Sequence, residues 1–114
     1  MITIDKLNSF GANTAEGLTR CFGNEALYLR LVATIPQDAT FERLKQKIAE
    51  KDLDGAFEAA HALKGVLGNL ALTPLYTPAI EITELLRSRT DMDYSDLLAQ
   101  FAEKREQLGK LCDD

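Results

Sequence analysis

Apolar residues return at spacings of three and four along nearly the whole chain, broken at short intervals by turn-forming groups. That period is helical and leaves no room for strands, since β-branched alternation is absent. A short opening helix over Ile4 to Phe10 ends at Gly11. Asn13 or Thr14 caps a second, which carries Leu18, Phe22, Ala26, Leu29 and Ala33 inward and stops before Pro36. Gly23 inside it costs about 1 kcal/mol of propensity and marks a bend, a close contact or a break. Asp38 or Thr40 begins a third helix with Phe41, Leu44 and Ile48 inward, which ends in the polar stretch Glu50 to Asp52. The fourth runs from Leu53 or Asp54 to Leu70. Thr73-Pro74 reads as a cap followed by proline at the first helical position. The face Leu75, Ala79, Ile82 and Leu86 carries that helix through Pro78 rather than starting it at Thr77-Pro78. After the polar turn Ser88 to Asp93, the last helix presents Leu97 or Leu98, Phe101, Arg105, Leu108 and Leu111 or Cys112. The expected architecture is all-α: an up-down antiparallel four-helix bundle with an additional short N-terminal helix, one domain over residues 1–114.

A chain of 114 residues can bury a core without staples. The net charge of -5 argues against nucleic acid, because no basic patch could neutralise many phosphates, and against anionic membrane surfaces for the same reason. Cys21 and Cys112 belong to no CxxC pair and read as structurally neutral. The N-terminus lacks a charged-then-apolar leader and no apolar run approaches membrane-spanning length, so the expected location is cytoplasmic. Met1 and the compact acidic end favour a free-standing protein.

One histidine, His61, is the only residue that looks reactive. At about 100° per residue, Leu53, Ala56, Ala59, Ala60, Leu63, Leu67 and Leu70 fall on one broad arc. His61 lies at the middle of the opposite arc, with Asp54, Glu58, Lys64, Gly65, Gly68 and Asn69. Gly65 and Gly68 each cost about 1 kcal/mol in a helix interior and, on an exposed side, gain nothing by packing. They provide clearance, leaving the imidazole edge open to another macromolecule. Lys64 can reach forward to place an ammonium near a phosphoryl group on the ring. Phe57, one turn before His61, is either a partly exposed docking contact or a cap on the core beneath the first helix. Most acidic residues form a solvated face, with Asp54 and Glu58 placed to tune a partner's approach.

An imidazole with an ordinary pKa near 6.5 keeps a neutral, nucleophilic nitrogen at cellular pH, and its phosphoramidate is labile enough to pass the group on. No second histidine or anchored serine supports a hydrolytic triad. One histidine with Asp54 and Glu58 offers too few converging ligands for a metal. Neither GxGxxG nor GxxxxGK[ST] occurs, which disfavours nucleotide binding and intrinsic kinase activity.

The run Ala60-His61-Ala62-Leu63-Lys64-Gly65, followed by Asn69-Leu70-Ala71-Leu72, resembles the signature of histidine-containing phosphotransfer (HPt) domains. The stretch from Gly17 through Arg20, Cys21, Phe22, Gly23, Asn24 and Glu25 to Tyr28 resembles the second helix of bacterial members. The resemblance implies that His61 accepts a phosphoryl group from a receiver-domain aspartyl phosphate and passes it to another receiver. By the same likeness Lys64 steadies the phosphoryl oxygens and Gly65 leaves room for them. Phe57, Glu58, Gly68 and Asn69 would meet the partner. The family implies response-regulator receiver domains, and a hybrid sensor histidine kinase, as partners of a monomeric phosphocarrier. It implies no cofactor in this chain, with Mg²⁺ on the receiver. Ala71 departs from the usual glycine at the motif's end and is expected to tighten or lengthen the helix end slightly. Two other readings stay open: a module that binds a receiver or kinase without taking phosphate, and a bundle enzyme using His61 as general base.

Overall fold

Short polar side chains start most helices of this chain. In the computed structural model, which describes residues 1–113, Thr3 caps α1 (Ile4–Phe10), Asn13 caps α2 (Thr14–Arg20) and Asn24 caps α3 (Glu25–Thr34). Each accepts the backbone N–H three residues on. A 3-10 turn at Ile35–Gln37 leads to α4 (Thr40–Ala49), where Asp38 accepts the Thr40 N–H. Asp52 caps α5 (Leu53–Asn69), and that bond from Gly55 holds its carboxyl below the usual range. The chain closes with α6 (Thr73–Arg87) and α7 (Ser95–Asp113). The molecule is an all-α helical bundle, with no strand among the described residues.

Helix ends share one device. Phe22, Lys51, Ala71 and Arg89 have φ between 53° and 59° and reverse the chain after α2, α4, α5 and α6. The next residue then donates its N–H five positions back: Gly23 to Leu18, Asp52 to Lys47, Leu72 to Leu67 and Thr90 to Leu85, at 2.7 to 3.0 Å. Glycine is the usual residue there, and a side chain adds about 1 to 2 kcal/mol of backbone strain at each. Ala71, where the resemblance leads one to expect glycine, sits in such a left-handed turn. α5 ends at Asn69, two residues before it.

The helix count corrects the expected four-plus-one. Of the three readings of Gly23 the break is the one realised: at Cys21–Asn24 the chain divides into α2 and α3, with Gly23 (φ 73°) beside Phe22 in the turn. Phe22, expected inward, is 94% exposed, and Ala26 is exposed too. Cys21 and Tyr28 take the buried positions instead. Thr73 begins α6 rather than capping it. Leu72 is the capping residue and makes no side-chain cap bond. Pro78 lies inside the helix, as the face of Leu75, Ala79, Ile82 and Leu86 requires, where it lacks the N–H that would have reached the Pro74 carbonyl and its ring crowds that carbonyl.

α5 packs most extensively against α6 and α4, and α7 packs on α6. Ala56, Ala59, Ala60, Leu63 and Leu67 line its buried face. The small alanines let the neighbouring helices approach, while Leu63 and Leu67 fill the space beyond them. Between α4 and α7, Phe41 and Phe101 meet at 5.1 Å between ring centres. Arg105 lies over Phe41 and donates to the Pro36 carbonyl and to Glu42, holding the Glu42 carboxyl below its usual range. At the other end Tyr28 is fully buried against α2. A β-carbon at Gly17 would lie 2.5 Å from the Tyr28 ring, so only glycine lets α2 pass there. The Asn13 N–H donates to the Ala71 carbonyl at 2.9 Å, which fastens the N-terminal helices to the end of α5.

Candidate functional site

With the alanine and leucine face of α5 buried, the opposite face is left to solvent. His61 stands exposed in the middle of that helix, as its place opposite the apolar arc requires. Its ring contact is with Phe57, one turn earlier: the rings stack at 5.7 Å between centres with planes 19° apart. A helical side chain leans back over the preceding turn, so the residue four positions before is its natural neighbour. Phe57 is half-buried and packs against the core, with its neighbours Arg87 and Arg89 coming from the end of α6. Their two guanidinium groups lie over it, each 5.1 Å from its ring centre.

Arg89 is fixed in turn. It donates to Asp54 at 2.6 Å and to the Leu86 carbonyl at 2.6 Å, placing a cation among the last carbonyls of α6. Asp54, expected to tune a partner's approach, is therefore held by this arginine. Glu58 is exposed beside the histidine.

On the C-terminal side of His61 the surface opens into a cleft of about 240 Å³ between α2, α5 and α6. Lys64, Gly65, Gly68 and Asn69 line it from α5, Glu16 and Arg20 from α2, and Tyr76 from α6. Lys64 makes no ion pair with any described residue, so its ammonium is available to an incoming anion. Arg20 donates to Glu16 at 3.1 Å and to Asn69 at 3.4 Å, spanning 49 residues of sequence.

The two glycines differ. Nothing lies within 4 Å of where a Gly65 β-carbon would be, which fits clearance beside the histidine. At Gly68 a β-carbon would come 2.9 Å from the Tyr76 ring. Gly68 is half-buried and lets α6 cross closely, so it is a packing glycine as well as part of the cleft wall. Sequence reasoning brought His61, Lys64, Gly65 and Asn69 to one face and missed Arg20, Tyr76, Arg87 and Arg89. None of these four lies on the histidine helix, and helical periodicity relates only residues within one helix.

This arrangement can carry a transferred group. A solvent-facing imidazole with the Lys64 ammonium on the same helix face can accept an electrophile and release it. Among the described residues no three of His, Cys, Asp and Glu are grouped to hold a metal. No helix among them is long and apolar enough to cross a membrane.

A family model described as the Hpt domain matches residues 30–112. The match spans His61 and every helix from α4 through α6, and it begins after the Gly17 to Tyr28 stretch. No curated protein and no solved structure matches the chain. The family identifies phosphocarriers rather than stand-alone enzymes, with receiver domains and hybrid kinases as their usual partners. On the match over most of its length, with an exposed histidine on the central helix, the chain belongs to the Hpt domain family of histidine phosphotransfer proteins in two-component signalling.

Proposed function

We propose that the chain works as one phosphorelay module in which His61 is the phosphoryl acceptor. An imidazole nitrogen attacks the phosphorus of a receiver's aspartyl phosphate. The P–N bond forms as the P–O bond to the aspartate breaks, the carboxylate leaves, and the ring gives up its N–H proton to solvent. The reverse chemistry on a second receiver returns the phosphoryl group to an aspartate. Lys64 offsets charge on the phosphoryl oxygens. Gly65 leaves space for them, and the Mg²⁺ that assists such a transfer belongs to the receiver. Glu58, Gly68 and Asn69 lie where a docked receiver meets the helix.

The observation that carries this reading is His61 exposed at the centre of α5, with the unpaired Lys64 and the open Gly65 within one turn. The test is transfer of labelled phosphate from phosphorylated receivers of the same cell. The expected result is acid-labile label on the wild type and none on H61Q. Receiver binding without label on the wild type would make the domain a docking module instead.

A further inference from the structure

Phe57 has a place in the site that a docking contact does not require. It is half-buried, it stacks on the His61 imidazole with the planes 19° apart, and two guanidinium groups lie over it. One of these, Arg89, is itself fixed by Asp54 and by the carbonyl end of α6. An exposed imidazole on a helix samples several staggered rotamers, and only some point a ring nitrogen at an incoming phosphorus. Stacking against a ring that is itself held removes that freedom. In-line attack depends on such alignment, and small misplacements of a nucleophile lower rates by large factors.

Resting on the carrier reading above, we infer that Phe57 is a positioning residue for phosphotransfer. It holds the His61 ring in its reactive orientation, and Arg87 and Arg89 hold Phe57. The chain of contacts runs from the end of α6 to the middle of α5 and ends on the nucleophile. Residues 26 and 28 positions after His61 in sequence thereby act on it without touching the phosphoryl group.

The experiment compares wild type, F57A, F57Y and R87Q/R89Q in single-turnover transfer from a phosphorylated receiver, with matched thermal melts. Alongside it, NMR follows the His61 ring signals, which are unambiguous because the chain has one histidine. In F57A the maximal transfer rate is expected to fall roughly tenfold, with the half-saturating receiver concentration unchanged within about twofold. F57Y restores the rate, because a tyrosine ring stacks equally well. R87Q/R89Q, which leaves Phe57 in place, lowers the rate by a smaller factor and shifts the His61 signals in the same direction as F57A. A raised half-saturating concentration at an unchanged maximal rate overturns the inference in favour of docking. Unchanged kinetics, or His61 signals indifferent to F57A, overturn it outright. A wild type that accepts no label from any receiver removes the carrier reading and this inference together, whereas label on F57A at the wild-type rate removes the inference alone.

Discussion

The Tyr28 hydroxyl donates to the Leu70 carbonyl oxygen at 2.8 Å, joining α3 to the last turn of the helix that carries His61. Leu70 caps that helix, and its carbonyl cannot find an intrahelical partner. Burial of the phenol is possible because Gly17 has no side chain where the ring passes. The N-terminal helices therefore hold the end of α5, one side of the cleft beside the histidine.

Removing that hydroxyl isolates a buried carbonyl. Y28F should lower stability by about 1 to 2 kcal/mol, read by urea unfolding at neutral pH. Desolvation, followed by the negative charge of Cys21, pushes the Tyr28 pKa up to about 12. An unfolded tyrosine titrates near 10, so folding favours the neutral phenol. The contribution is complete below about pH 10 and is lost as pH rises from there through about 12. The wild type should thus weaken over that window more steeply than Y28F, and parallel alkaline curves would contradict this account.

Gly65 sets access against helix stability. With nothing within 4 Å of its missing β-carbon, a side chain fits without moving a neighbour. G65Q should raise stability by roughly 0.5 to 1 kcal/mol through helix propensity. If His61 is the acceptor, the same variant should slow phosphotransfer several-fold by crowding the phosphoryl group. Thermal melts and transfer rates measured on one preparation check both directions.

Phe22 combines a left-handed backbone, φ 58°, with 94% exposure. Its ring has almost no packing to lose, and the backbone strain is relieved by residues that tolerate this region. F22N should stabilise the fold by roughly 0.5 to 1 kcal/mol, seen as a higher urea midpoint at unchanged slope. A lower midpoint would mean that the ring packs against the fold.

The helical period alone determined an all-α chain, placed α4, α5 and α6 to within a residue or two, and put His61 opposite the buried face. These are properties of single helices, because the period relates residues within one turn of each other. Asn13 and the passage of α6 through Pro78 were legible for the same local reason. The break beside Phe22 was signalled by Gly23 but left undecided, since the apolar period runs on through it and the first reversing residue is an aromatic. Gly65 and Gly68 look alike in sequence, yet one faces open space and the other meets Tyr76. That difference exists only once α6 has crossed α5. The setting of the nucleophile likewise belongs to tertiary structure. Arg87 and Arg89 reach Phe57, and Arg20 reaches Asn69, because packing brings helix ends together across many residues of chain.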